Sequence, residues 1–154
     1  MDTVLIRPAR PSDCPQISRM RAALWPESSA EEHARELLPI LEDTPSFPFP
    51  LVNLVAEAAD AQLVGFIEAD LRSHADGCDP SHAVGFIEGW YVDPGWRGQR
   101  IGRKLLSAAE EWARSHGCRE MASDTWIYNE LSQRVHDAAG YSVVDRCVHY
   151  RKSL

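Results

Sequence analysis

The apolar positions of this chain change their period several times, and the changes mark out its elements. Val4 to Ile6 is a short apolar run that ends at Pro8 and predicts an opening strand. Ser12 or Asp13 then stands where a helix cap is wanted, and Ile17, Met20 and Leu24 follow at helical spacing up to a stop at Leu24-Trp25-Pro26. Ser29 and Glu32 form a capping-box pair, and behind them Ala34, Leu37, Leu38 and Leu41 share one face of a second helix. Thr44 to Pro50 carries Pro45, Pro48 and Pro50 and reads as loop.

Beyond that loop the runs become strand-like. Leu51 to Ala58 and Gln62 to Leu71 predict two strands joined across Ala59-Asp60-Ala61, then a polar loop from Arg72 to His82, then a strand from Ala83 to Val92. Val-Gly-Phe-Ile-Glu occurs at Val64 to Glu68 and again at Val84 to Glu88; nothing else recurs, so the echo indicates neighbouring strands in similar surroundings and not a repeat architecture. Ile101, Leu105, Ala108 or Ala109 and Trp112 return to helical spacing, with a stop at Ser115-His116-Gly117. Cys118 to Ser123 predicts a strand with Asp124 at its end. A helix from about Asn129 to Ala139 carries Leu131 and Val135 and stops at Gly140, and Tyr141 to Val144 and Arg146 to Tyr150 predict two closing strands. This order defines an α/β (α+β) domain with a mixed sheet.

The length of 154 residues suits one domain, 1–154, with a real core, and 44% hydrophobic with 25% charged residues is the balance of a folded, soluble chain. Met1 to Arg10 has no basic segment followed by an apolar one, and no apolar run approaches the length of a membrane span. Cys14, Cys78, Cys118 and Cys147 are scattered without a framework, which fits reduced thiols in the cytoplasm. A formal charge of −7 argues against nucleic acid as a partner and suits a cationic small substrate.

The stretch from Tyr91 to Trp112 carries the first chemical signal. A strand ends at Val92, a turn follows on Asp93, Pro94 and Gly95, and Arg97-Gly98-Gln99-Arg100-Ile101-Gly102 leads into the helix. Such a loop offers unpaired backbone N–H groups and the positive end of the helix dipole, a natural phosphate site. The P-loop and dinucleotide glycine patterns are both absent here. The spacing of Arg97 and Gly102 instead resembles the acyl-CoA pyrophosphate loop of the Gcn5-related N-acetyltransferase (GNAT) superfamily, except that Arg100 stands where glycine is usual.

A narrower resemblance rests on Leu24-Trp25-Pro26, Gly77-Cys78-Asp79, Phe86-Ile87-Glu88-Gly89, Cys118 to Thr125 and Ser132-Gln133-Arg134-Val135-His136. These segments resemble the bacterial aminoglycoside 6′-N-acetyltransferases of that superfamily, over nearly the whole chain. The departures lie at Trp25 to Glu31, in the Arg72 to Asp79 loop and at Arg100. The resemblance implies the GNAT fold, with helices on both faces of the sheet and acyl-CoA at a splayed strand and the following helix start. It implies acetyl-CoA as co-substrate, an aminoglycoside as acceptor, a role in antibiotic resistance, and a homodimer formed through the C-terminal strands.

The resemblance also assigns roles. Arg97, Gly98, Gln99, Arg100, Ile101, Gly102 and Arg103 form the pyrophosphate cradle, Trp90, Tyr91 and Val92 pair with the pantetheine arm, and Asn129 contacts CoA. Trp25, His74, Glu88, Asp124 and Asp145 line the acceptor site. Glu88 or Asp124 relays the amine proton, and His136 protonates the departing thiolate. Read without the family, Glu88 is a strand-edge glutamate facing solvent, Asp124 an Asx-turn or cap, Trp25 a core residue, and His136 a core or capped histidine. His74, Cys78 and His82 lack a fourth ligand nearby, so no metal is expected. Two other readings stay open: a GNAT enzyme acting on a polyamine or peptide N-terminus, and a non-catalytic acyl-CoA sensor.

Overall fold

The computed structural model describes residues 3–43 and 49–154, so most of the predicted Thr44 to Pro50 loop lies outside the described residues. One five-stranded sheet runs in the order β1-β2-β3-β4-β5. Its strands are β1 (Leu5–Pro8), β2 (Leu51–Glu57), β3 (Leu63–Arg72), β4 (Val84–Val92) and β5 (Met121–Ser123). The first four pair antiparallel, and β5 joins β4 in parallel, which makes the sheet mixed as expected.

Helices cover both faces because side chains alternate along the strands. Val55 of β2 points to one face, where it meets Leu63, Phe66 and the helices α1 (Cys14–Leu24) and α2 (Ala30–Leu41) through Ile17, Met20 and Leu37. Its neighbours Leu54 and Ala56 point to the other, where Val64, Ile67, Ala69 and Ile87 pack against α3 (Ile101–Ser115) through Ile101, Leu105, Leu106 and Ala109. The capping box predicted for α2 forms: the Ser29 hydroxyl accepts from the Glu32 N–H, and the Glu32 carboxylate accepts from the Ser29 N–H. The last helix, α4 (Glu130–Ala138), has no buried residue of its own.

Three expectations fail, each for a local reason. Neither Ser12 nor Asp13 caps α1 with its side chain. Pro11–Asp13 is a 3₁₀ turn, and the Asp13 carboxylate takes two hydrogen bonds from Arg7, at 2.7 and 3.0 Å, and one from the Arg10 N–H. A buried, bidentate charged pair is a stronger partner than a cap. The strand expected from Cys118 begins only at Met121. Gly117, at φ +82°, closes α3, and the Cys118 N–H turns back to the Ala113 carbonyl at 3.1 Å. The two closing strands do not form. Residues 141–154 contain no strand, and Val143, Val144, Val148 and Tyr150 stay 61%, 64%, 72% and 92% exposed. Among the described residues no strand lies alongside them to complete a ladder.

Arg7 holds the Asp13 carboxyl below the usual carboxylate range, chiefly through its hydrogen bonds. A depressed folded pKa stabilises the fold above the unfolded value and stops doing so as pH falls through the folded one. We therefore expect Asp13→Asn to lower the unfolding free energy at pH 7 by about 3 kcal/mol, because it leaves Arg7 buried without its main partner. In denaturant titrations the gap between variant and parent should begin to narrow below about pH 4, where the unfolded parent's carboxyl takes up a proton, and close at lower pH as the folded carboxyl does so too.

Candidate active site

Strand β4 is paired to its end on one side only. On the β3 side its ladder runs to Val92, opposite Gly65. On the β5 side it stops after Gly85, Phe86 and Ile87, opposite Met121, Ala122 and Ser123. Where the pairing changes, β4 carries an extra residue: Glu68 faces Gly89 and Ala69 faces Ile87, so Glu88 is left over as a bulge. A bulge bends and twists its strand. The result is an edge from Glu88 to Val92 with no β5 partner, opening toward the start of α3.

That start is built as an anion cradle. Arg100 occupies the N-cap position at φ 64°, ψ 12°, and no side-chain hydrogen bond caps the helix. The left-handed conformation explains why glycine suits the position: a residue with a Cβ gives up about 1 kcal/mol to adopt it. The first-turn N–H groups of Ile101, Gly102 and Arg103 have no carbonyl behind them within the helix. Two arginines of the loop are committed elsewhere. Arg97 Nε donates to the Val92 carbonyl at 2.9 Å, and Arg103 Nη1 donates to the Ala138 carbonyl at 2.7 Å, tying α3 to α4. Gln99, Arg100 and Lys104 are exposed around the helix start. The Trp90 indole donates to the Gly102 carbonyl at 3.0 Å, so strand edge and helix start are joined directly.

On the α1 side of the bulge lies a second set of groups. Trp25, at the end of α1, lies over Gly89: a Cβ built on that glycine would stand 2.5 Å from Trp25 Cη2. Buried His33 Nε2 holds the Trp25 carbonyl at 3.1 Å, and Arg21 lies 5.3 Å above the indole. Trp25 is thus half-buried over Gly89, the residue after Glu88, and is part of the packing on that face. Glu88 is ion-paired with Arg72, and Glu68 pairs with Arg21 at 3.1 Å. Burial pushes the Glu68 carboxyl up to about 7, against the opposing pull of Arg21. Burial, and then Glu88, push Asp70 up to about 6. Sequence reasoning missed Arg21, Glu68, Asp70 and Arg72; the signal was there, since alternation puts residues 68, 70 and 72 on one face of a strand.

Across the opening, His136 on α4 sits between Trp90, 5.5 Å away edge-on, and Tyr141, 5.7 Å away. Its Nδ1 faces the Ser132 carbonyl at 2.7 Å and its Nε2 the Ser123 hydroxyl at 2.9 Å. A carbonyl only accepts, so Nδ1 carries a proton, and the neutral ring then accepts from Ser123 through Nε2. Ser123, the last residue of β5, is another residue missed from sequence. Asp124, next along, is exposed and, among the described residues, has no side-chain partner. It makes no cap, because Asn129 does: Asn129 Oδ1 accepts the Ser132 N–H at 3.1 Å, leaving its NH₂ free to donate.

Two further expected acceptor residues lie on segments outside the sheet. His74 is exposed in the β3–β4 loop with its Nδ1 on Ser73 Oγ at 3.0 Å. Asp145 is exposed on the C-terminal arm and accepts its neighbour Arg146 N–H at 2.7 Å. Next to it, Val144 packs on Gly77 of that same loop. His74, Cys78 and His82 do not assemble a metal site; no group of three or more metal-binding side chains occurs among the described residues.

A parted strand edge leading into an uncapped helix start is the acyl-CoA-binding arrangement of one class of transferase, and the family comparison agrees. Residues 14–141 match the acetyltransferase (GNAT) family, and the chain belongs to it. The chain is 39% identical to an aminoglycoside N(6′)-acetyltransferase type 1 of Klebsiella aerogenes, over 97% of each protein. It is 40% identical to the enzyme of that name from Serratia marcescens, over 88% of this chain and 89% of the other. Among solved structures, it resembles AAC(6′)-Iy in complex with the bisubstrate analogue CoA-S-monomethyl-acetylneamine, with a TM-score of 0.82 and 33% identity over 99% of both chains. AAC(6′)-Ih from Acinetobacter baumannii superposes with a TM-score of 0.85 at 27% identity, also over 99% of both.

The contact between Trp25 and Gly89 is testable apart from any activity. Gly89→Ala should destabilise the protein by about 1–3 kcal/mol, the usual range for overpacking a filled site. Trp25→Leu in the same chain should return part of that loss. A double-mutant cycle from urea unfolding checks it; strict additivity of the two changes would deny the contact.

Proposed function

We propose that this protein transfers the acetyl group of acetyl-CoA to the 6′-amine of an aminoglycoside. The observation that carries the reading is the parting of β4 from β5 at the Glu88 bulge, with an uncapped helix start on one side and a carboxylate cluster on the other. An anionic cofactor and a cationic acceptor meet across that strand. The backbone N–H groups from Gly98 to Arg103 hold the pyrophosphate, with Arg97 bracing the loop through the Val92 carbonyl. The edge at Trp90, Tyr91 and Val92 receives the pantetheine arm as an added strand, and the Asn129 amide reaches the same ligand.

Glu88 and Asp124 hold the polycation by its ammonium groups, and one of them accepts the amine proton, through water where needed. Trp25 presents an indole face to a sugar ring, and His74 and Asp145 border the site. Alignment of an unprotonated amine with a thioester carries much of the rate, and strand-edge N–H groups stabilise the tetrahedral oxyanion. The C–N bond forms as the C–S bond breaks. The thiolate takes its proton from the Ser123 hydroxyl, and His136 in its imidazolium form replaces that proton from Nε2, 2.9 Å from Ser123 Oγ, which leaves the neutral ring with its proton on Nδ1. No covalent enzyme intermediate is needed. Acetylation removes one positive charge from a drug whose target is a phosphate-rich RNA, so the product binds that target less well and the host gains resistance.

Residues 1–154 act as one GNAT domain in a cytoplasmic homodimer. The support for the dimer is the C-terminal arm, whose valines and Tyr150 are exposed beside an equally exposed Trp126, Ile127 and Tyr128. Apolar surface of this kind asks for a cover, and a second copy, pairing the arms as strands, supplies it.

A thiol-release assay with acetyl-CoA tests the reaction. Turnover is expected with kanamycin, which carries a 6′-amine, and none with an aminoglycoside carrying a 6′-hydroxyl. Equal turnover with both would move the acetylation site, and turnover of polyamines or peptides alone would replace the acceptor. Glu88→Gln and Asp124→Asn should each reduce kcat/KM for the drug by about tenfold or more while leaving the acetyl-CoA KM within about twofold, as loss of a charge-assisted contact predicts.

The dimer has its own check. Removal of residues 142–154 should convert a dimer to a monomer in light scattering. A full-length protein that already runs as a monomer at micromolar concentration would refute the assembly.

A further inference from the structure

Around the bulge, Glu68, Asp70 and Glu88 share two guanidinium groups, Arg21 and Arg72. Arg21 is committed to Glu68: its Nε lies 3.1 Å from Oε1, its Nη2 lies 3.4 Å from Oε2, and its side chain is only 12% exposed. Arg72 serves the other two carboxylates alone. It donates from Nη2 to Glu88 Oε1, while its Nε stands 3.8 Å from Asp70 Oδ1, too far for a hydrogen bond. Asp70 Oδ1 is buried and has no hydrogen-bond partner, and the same is true of Glu68 Oε1 and of Arg21 Nε and Nη1, so Arg21 holds Glu68 by one hydrogen bond, from Nη2, and by charge. With every group ionised the cluster is one cation short.

Arg72 differs from Arg21 in exposure as well as in load. Its side chain is 42% exposed, and its guanidinium lies flat on the Phe86 ring, 3.4 Å from the ring centre, where it can slide or lift without unpacking the core. It sits on the groups that the acceptor's ammonium must reach.

We propose that Arg72 is an internal stand-in for the substrate's ammonium, capping Glu88 and Asp70 until a polycationic acceptor displaces it. This rests on the reading of Glu88 as an acceptor-site carboxylate. The stand-in makes Arg72 a positioning and specificity residue. An acceptor with a single ammonium exchanges one cation for another and gains little. An acceptor with several ammonium groups replaces Arg72 and also supplies the missing cation at Asp70 or Asp124. Arg72 thereby favours polyamines over monoamines at the same seat.

The test is the aminoglycoside KM of Arg72→Gln in the full-length enzyme. It should fall by about three- to fivefold, the scale of a half-exposed ion pair, with kcat and the acetyl-CoA KM within about twofold of the parent. Turnover of a monoamine sugar, 6-amino-6-deoxyglucose, should rise relative to kanamycin. A distorted site does not tighten acceptor binding, so a lower KM separates displacement from a structural role. An unchanged or raised KM overturns the proposal. Arg72→Lys, which keeps the charge but cannot bridge both carboxylates, should show a smaller fall; it stands in if the glutamine variant is unstable, and a rise there also overturns the proposal. Glu88→Gln separates the two readings. If its drug KM is unchanged, the acceptor site itself is misassigned. If that KM rises while Arg72→Gln fails to lower it, the stand-in alone is refuted.

Discussion

Strand β4 has to satisfy two neighbours that end at different places, and the site exists because it cannot do both. Pairing with β3 is complete to Val92, while pairing with β5 ends at Ile87. The extra residue at Glu88 absorbs the mismatch. A regular strand would continue alongside β5, close the edge, and turn Gly89, Trp90 and Tyr91 to the opposite faces, since a shift of one residue inverts every side chain beyond it. Backbone groups left without a ladder are normally a liability. Here they are sheltered between the Trp90 indole, bonded to Gly102, and the His136 ring, and a ligand can complete the ladder.

The same strand separates two electrostatic territories in a chain of net charge −7. Toward α3 the exposed groups are Arg97, Arg100, Arg103 and Lys104, reinforced by the helix dipole. Toward α1 the charged groups are the carboxylates of Glu68, Asp70 and Glu88, held by Arg21 and Arg72. Net charge alone would therefore mislead about either ligand. Buried carboxylates facing too few cations are unstable as anions, which is why burial raises both Glu68 and Asp70. A cluster in that condition gains from a cation of any origin, internal or bound.

Much of this arrangement was legible in the residues, and the division between what was and what was not is physical. Periodicity located α1 to α4 and β2 to β4 because burial on one face writes itself into spacing. The capping box of α2 was legible because both partners are local in sequence. Asp13 was misread as a cap because its true partner, Arg7, lies across a turn and competes through charge. Trp25, Glu88 and His136 could be named as candidates, but not the contacts that hold them, from Gly89, Arg72 and Ser123. Such contacts join different elements, and spacing within one element says nothing about them. The Arg72 loop was expected to begin where β3 in fact still continues, so the charge on that strand's last residue was assigned to solvent and not to the site.

The arm from Tyr141 onward carries the same lesson further. Its valines were read as strands because their pattern asks for neighbours on either side, yet no strand forms there. Among the described residues the chain offers no partner: β5 pairs over only three residues, and no strand lies beyond it in the sheet order. A hydrophobic pattern records what surrounds a segment in its working state, without recording which molecule supplies it. An isolated chain leaves the arm's apolar side chains in water, at a cost of roughly 25 cal/mol for each Å² left uncovered. The Trp126, Ile127 and Tyr128 patch is left uncovered in the same way. The segment is thus a strand by sequence and an open arm in the single chain, a conflict that the proposed assembly of two copies would remove.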